Sequence, residues 1–546
     1  MNDIDPQKFW KSRKSRSGGG RAPRRPAVGL LTVAALLAAP VPAAQAQVAG
    51  GGTVVRTDAG RVRGEVTAEG RQFLGIPFAQ PPVGALRWSA PRPVAPWQGV
   101  RAAGEFGNRC VQGTSWDPGY ERPSHTEDCL DLNVYVPQGV VRGPVLVWLH
   151  GGGLTAGAGE DVVPDVFARR TGAVVVTVNY RLGAMGFLAT EGLDGEAADG
   201  VSGNFGMLDQ QAALRWVRAN IGRFGGDPGR VTIAGESAGG RSVCTQLASP
   251  TSTGLYRAAI VQSGAYNDCS ARPHPTATAQ GAAFAERLGC SGAGTLACLR
   301  AKSAAEILAA QGGFDWAPVT GGAFLPTQPA EAFANGAAAR VPVLNGANRD
   351  EGRMFAFASF DVRGTPLTAE RYPSVMRAAY GDGVLARYPL SAYPSPTIAY
   401  GTAQGDGLFA CAALRLDAVL ATRGPVYTYE FADRTAPPFA SLRNLGTDFD
   451  FGATHVNEVQ YLFKHFGLES PLDAEQRALS RQMVQYWGSF LRGGVPRADG
   501  QPAMPDRPGL VLSLRTGSAG GNVLSATTAQ EHQCDLWDAQ KSSVSP

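Results

Sequence analysis

What the chain lacks narrows the reading first. Its best apolar run, residues 27–39 of 546, falls well short of the about 20 positions that a membrane helix needs, so no stable membrane anchor is expected. No low-complexity linker or internal repeat marks a domain boundary after residue 46. None of the eight cysteines stands in a C-x-x-C pair, which argues against a zinc site. Charged residues are only 18% of the chain while hydrophobic ones are 44%, a balance that builds a core and is foreign to disordered chains. The net charge of +4 is unevenly spread, because Lys8, Lys11, Arg13, Lys14, Arg16, Arg21, Arg24 and Arg25 crowd the first 25 positions and leave the remainder slightly acidic. A basic, nucleic-acid-binding body is therefore not expected. The 70 glycines and 38 prolines follow no collagen-like period, which leaves a loop-rich globular protein.

What is present begins with an export signal. The basic stretch is followed by the apolar run and then by Ala44-Gln45-Ala46, a small-x-small cleavage pattern. Residues 1–46 are expected to be a signal peptide removed near Ala46, which leaves residues 47–546 as one secreted or periplasmic domain. An even cysteine count in an exported chain favours disulfides.

Short β-branched runs at 145–149, 174–178, 231–234, 258–261 and 341–344 suit strands buried on both faces. Helical patterns lie between them. Over 208–224 the spacing sets Leu208, Ala212, Trp216 and Val217 on one face. The alternation predicts an α/β fold with a large, mostly parallel sheet flanked by helices. Insertions at 314–339 and 355–407 are expected to be lid-like, above the strand ends.

The strongest chemical signal is Gly235-Glu236-Ser237-Ala238-Gly239, between the 231–234 strand and a predicted helix at 242–247. A G-x-S-x-G at such a junction forces a tight turn that lifts the serine hydroxyl clear of the sheet. The turn also sets Ser237 at a helix N-terminus, where backbone N–H groups favour developing negative charge. A second signal, His150-Gly151-Gly152-Gly153, follows the 145–149 strand. Consecutive glycines let backbone N–H groups approach a ligand, as the other half of an oxyanion hole requires.

A serine nucleophile needs a base, and the chain has only six histidines. His150 belongs to the glycine loop, His125 lies between two cysteines, His274 between prolines and His532 near the C-terminus. Of the remaining two, His455 sits in a small-residue loop and His465 in an apolar segment, so His455 is favoured. The acid should follow a strand between serine and histidine. Asp350 and Glu351 both qualify, and composition does not separate them.

Together with Glu127-Asp128-Cys129-Leu130-Asp131-Leu132-Asn133-Val134, Asn179-Tyr180-Arg181-Leu182-Gly183, Gly203-Asn204-Phe205-Gly206-Met207-Leu208-Asp209-Gln210 and Phe224-Gly225-Gly226-Asp227-Pro228, these blocks make the chain resemble the type-B carboxylesterase/lipase family of α/β-hydrolases, which includes the cholinesterases. The resemblance implies Glu351 as the acid, His455 as the base, and the N–H groups of Gly152, Gly153 and Ala238 as oxyanion donors. It implies supporting roles for Glu236 and Ser263. It implies a serine esterase acting on small to medium carboxylic esters through an acyl-enzyme, with no metal or organic cofactor. It also pairs Cys110 with Cys129, Cys290 with Cys298 and Cys411 with Cys534. Cys244 and Cys269 are then left over, as a fourth bridge or as buried thiols. The family blocks further imply a buried ion pair between Arg181 and Asp209.

Departures from the family pattern are informative. Val456 follows the base where the family usually has glycine, which would narrow the mouth of the site. Trp116 is the one tryptophan between Cys110 and Cys129 and stands near the wrong cysteine, which disfavours a quaternary-ammonium substrate. The same machinery suits amides, carbamates or polyesters. An inactive binding or adhesion module on this fold would lack one member of the triad, and this chain has all three.

Overall fold

The computed structural model describes residues 52–114 and 122–542. The expected signal segment and Trp116 lie outside them.

The apolar runs become strands of one eleven-stranded sheet. In chain order these are β1 (Glu65–Thr67), β2 (Gly70–Pro77), β3 (Asp131–Pro137), β4 (Gly143–Leu149), β5 (Val174–Val178), β6 (Gly226–Glu236), β7 (Ala258–Gln262), β8 (Val343–Asn348), β9 (Val426–Phe431), β10 (Val511–Leu514) and β11 (Val523–Ser525). Their spatial order is β11-β10-β9-β8-β7-β6-β4-β5-β3-β2-β1. The sheet is parallel from β5 through β10 and antiparallel at both edges.

Alternate residues of each central strand enter opposite cores, which is why these runs are apolar without interruption. Val145, Val147, Leu149, Val231, Ile233, Ala259 and Val261 face one core, together with α1 (Phe205–Asn220) and α2 (Ala238–Ala248). Leu146, Trp148, Val175, Ala234, Ala258 and Ile260 face the other. That core is capped by α6 (Ala474–Gly493), whose Leu479, Met483, Tyr486, Trp487 and Phe490 recur at helical spacing. Between these helices lie α3 (Gly352–Phe360), α4 (Pro396–Gly405) and α5 (Cys411–Leu420). The five-residue π turn Asp406–Ala410 joins α4 to α5. The last helix is α7 (Cys534–Ser542). No helix of the described residues is long and apolar enough to cross a membrane.

Two expectations need correction. The buried stripe of α1 is wider than the expected one: Trp216 and Val217 are buried and Leu208 and Ala212 half-buried, but Met207, Gln210, Gln211 and Leu214 are buried too. The glutamines are hidden because they are hydrogen-bonded, Gln210 to Ser242 (3.0 Å) and Gln211 to Thr251 and Ser252 (2.9 Å each). The strand expected at 341–344 runs instead through the polar Val343–Asn348. Buried Asn345 is tolerated there because its amide donates to Ala413 O (3.1 Å) and Asp417 (2.8 Å).

All eight cysteines are bridged, with Cα separations of 5.0 Å (Cys110–Cys129), 6.1 Å (Cys244–Cys269), 5.6 Å (Cys290–Cys298) and 5.3 Å (Cys411–Cys534). The open question of Cys244 and Cys269 is thus answered by a bridge from α2 to the segment after β7. Arg181 and Asp209 form the expected ion pair through two bonds of 2.8 Å, with side chains 4% and 0% exposed.

Candidate active site

Ser237 occupies the turn between β6 and α2. Its φ of 54° and ψ of −123° lie in a region that non-glycine residues rarely adopt. The close approach of α2 to β4 holds the turn in this conformation. A Cβ on Gly239 would collide with the carbonyl oxygens of Leu149 and His150, so α2 can approach β4 this closely only with glycine there. The Ser237 N–H donates to Gln262 O (3.0 Å), which removes it from any oxyanion-binding role. Ala238, one residue into the helix, is buried behind it.

The glycine loop lies beside this turn. A Cβ on Gly151 would stand 3.2 Å from the Cβ of Ser237. Gly152 and Gly153 follow with φ of 101° and 63°. The loop is anchored by His150, whose ring stacks on Tyr180 with centroids 4.3 Å apart. Tyr180 Oη donates to the His150 carbonyl (2.7 Å). Burial drives the His150 ring pKa down to about 4, so it stands neutral and adds no charge to the site.

Glu351 and His455 meet from separate segments. Glu351 immediately precedes α3 and is fully buried. His455 lies in a loop clipped to the acid's own loop at two points: Asp350 N–H donates to Ala453 O (2.9 Å), and Ala453 N–H donates to Asp350 Oδ2 (3.0 Å). His455 Nδ1 is 2.5 Å from Glu351 Oε2. The other carboxylate oxygen accepts from Ser263 Oγ (2.5 Å) and Asn348 N–H (2.8 Å). The pair left open by composition is therefore separated by geometry. Asp350 turns away from the imidazole to Arg434 (2.6 and 2.9 Å) and Arg353 (3.0 Å). Burial works against its charge, but these guanidiniums outweigh it and hold its carboxyl below the usual range. His465, the other histidine weighed for the base, packs against Phe466 and Phe439 with no carboxylate in contact among the described residues.

His455 Nε2 is buried without a hydrogen-bond partner among the described residues and lies 3.3 Å from Glu236 Oε1. Burial lowers the pKa of this imidazole, but the carboxylates of Glu236, Glu351 and Glu458 outweigh it and push it up to about 9. Three neighbours escaped the sequence reading. Glu458, three residues past His455 in the same turn, is fully buried and accepts from Asn348 Nδ2 (2.6 Å) and Gln262 Nε2 (3.1 Å). The H-x-x-E spacing was its only signal. Phe355 and Phe409 set their rings 4.9 and 5.1 Å from that of His455, and no local pattern announces either.

A strained serine turn after β6, a glycine loop after β4 and a glutamate bound to an imidazole after β8 thus lie at the carboxyl ends of sheet strands, with that imidazole 3.3 Å from the residue before the serine. The profile of the carboxylesterase family matches residues 51–537. The chain belongs to this family. This carboxylesterase is 35% identical over 498 residues to the acylcarnitine hydrolase of Mus musculus, an alignment covering 84% of this chain and 85% of that protein. It is 34% identical to the fumonisin B1 esterase of Sphingopyxis macrogoltabida, covering 88% and 89% of the two chains. Among solved structures, a PNB esterase superposes with a TM-score of 0.73 at 31% identity, covering 89% of this chain and 99% of that one. The fold is that of the α/β-hydrolases, and the carboxylesterase acts on small-molecule esters.

Proposed function

We propose that ester hydrolysis here proceeds by two acyl transfers at Ser237. His455 takes the Ser237 proton as the hydroxyl attacks the ester carbonyl. The N–H groups of Gly152, Gly153 and Ala238 hold the oxyanion. His455 then protonates the leaving alkoxide, and water repeats the attack on the acyl-enzyme. Glu351 fixes the ring through Nδ1, which leaves Nε2 to exchange the proton, and stabilises its imidazolium form. Ser263 and Glu236 hold these groups in place.

The observation that carries the reading is the 2.5 Å contact of His455 Nδ1 with Glu351, together with Nε2 standing 3.3 Å from Glu236, the residue before a serine in an elbow at φ 54°. Catalytic hydrogen bonds are often long in a free enzyme and tighten only around substrate. The substrate class we favour is carboxylic esters of small to medium size. Residues 1–46 are read as a cleaved leader and residues 47–546 as one secreted or periplasmic domain. Four disulfides support that compartment. A covalent serine-hydrolase probe, run beside p-nitrophenyl esters of increasing chain length, tests the reading. Labelling and turnover should vanish together in Ser237→Ala, with at least about a thousandfold loss. A folded Ser237→Ala enzyme that kept most of its activity would refute the nucleophile.

A further inference from the structure

His532 is the most heavily engaged buried group that the reaction leaves unused. Its Nδ1 is 2.5 Å from Asp406 Oδ1 and its Nε2 is 2.6 Å from Glu430 Oε1. The ring is 4% exposed. Two ionised carboxylates on one ring favour the imidazolium form, in which both nitrogens donate. Burial opposes that charge, but Asp406 and Glu430 outweigh it and push the pKa up to about 10. The surrounding groups complete the cage. Tyr388 donates to Asp406 (2.8 Å), while Arg349 bridges Glu430 (3.0 Å) and Glu531 (2.7 Å).

Asp406 opens the π turn Asp406–Ala410. Such turns are rare, have poor intrinsic stability and recur at functional sites. Here the C-terminal segment grips the turn at three points. His532 holds Asp406. Trp537 lies over Gly407 so closely that a Cβ there would meet the indole at 2.6 Å. Cys534 is bonded to Cys411, the residue after the turn.

The other side of the turn faces the reaction. Phe409 stacks on Phe355 at 5.7 Å, and both rings pack against the His455 imidazole. Gly405, just before the turn, lies where a Cβ would stand 3.4 Å from the Cβ of Glu351. We propose that His532 is a positioning residue for His455: by bridging Asp406 and Glu430 it fixes the π turn, and the turn holds Phe409 and Phe355 as the wall that seats the imidazole on Glu351. The inference rests on His455 being the base.

The test compares His532→Gln, Phe409→Leu, the double variant and His455→Gln in the full-length, disulfide-bonded enzyme. Folded His532→Gln should lose about tenfold or more in kcat, the scale on which small misplacements of reacting groups act, with KM within about twofold. The acid limb of its pH profile should move. Phe409→Leu should reproduce both changes, and the double variant should add little to either. His532→Lys, which restores a cation between the carboxylates, should recover part of the loss. A His532→Gln enzyme that melts earlier but keeps wild-type kcat and pH profile would overturn the inference. If His532→Gln does not fold, wild-type kcat and pH profile in Phe409→Leu overturn it alone. An active His455→Gln would sink the base assignment and this inference with it. An inactive His455→Gln beside normal behaviour of the other variants sinks only the positioning role.

Discussion

Glu236 offers a direct handle on the proposed base, His455. Its Oε1 is 3.3 Å from His455 Nε2, and the two side chains are 6% and 2% exposed. At that distance a unit-charge pair is worth ~1.3 kcal/mol at the dielectric of water and ~5 kcal/mol at an effective dielectric of about 20. One pKa unit corresponds to about 1.4 kcal/mol, so the carboxylate accounts for between ~1 and ~4 units of upward shift. The sign follows from the charges: an anion beside the ring favours imidazolium, and only neutral imidazole accepts the serine proton. With its pKa pushed up to about 9, the His455 imidazole is mostly protonated at neutral pH, and if it is the base, kcat/KM should rise with pH toward that value. Glu236→Gln keeps the shape and removes the charge. Its acid limb should fall by at least about one pH unit, while Glu236→Asp, which keeps the charge, should stay near the wild type. A pH-stat titration of ester hydrolysis reads the limb without an ionising chromophore. An acid limb that did not move in Glu236→Gln would show that this carboxylate does not set the pKa of the base.

Three further outcomes are expected. Glu351→Gln should cost about a thousandfold or more in kcat, whereas folded Asp350→Asn should keep kcat within about tenfold while melting earlier; the reverse order would exchange their roles. Arg181→Met strands the fully buried Asp209 and should cost about 3–5 kcal/mol in denaturant unfolding, and a loss under about 1 kcal/mol would show that the pair is solvated. Val456 sits at φ 73°, where a β-branched side chain is strained, so Val456→Gly should gain about 1 kcal/mol; an unchanged denaturation midpoint would mean that its packing against the cluster of Met354, Phe357, Phe439, Leu442 and Phe451 offsets the strain.

The parts of this enzyme legible in its sequence are those where local pattern and global role coincide. The strands Val174–Val178 and Ala258–Gln262 are apolar because both faces are covered. The elbow and the glycine loop are readable because each needs glycine for its own backbone. Asp350 and Glu351 are chemically alike neighbours, and only the turn into α3 decides which of them points at the imidazole. Asn345 hid the course of β8, because its polarity is satisfied by partners on a helix about 70 residues away. Phe409 reaches the site through packing between distant segments, and its immediate neighbours carry no trace of it, while Glu458 left only its spacing from His455 as a trace.

The register of the sheet carries a consequence for descent. Gly235 pairs with Leu149, Glu236 with Gln262 and Gln262 with Gly346, so His150, Ser237 and Ser263 leave three adjacent strands side by side. Their separations are inherited from a strand spacing of about 4.8 Å that hydrogen bonding holds constant whatever the side chains are. Connecting segments other than those that carry Glu351, Phe355, Phe409 and His455 can lengthen, shorten or change composition without moving these strand ends. Drift in them is invisible to the chemistry and visible only to the ester that must fit between them. Relatives named for acylcarnitine and for fumonisin B1, each sharing about a third of its residues with this chain, are what such a frame leaves behind.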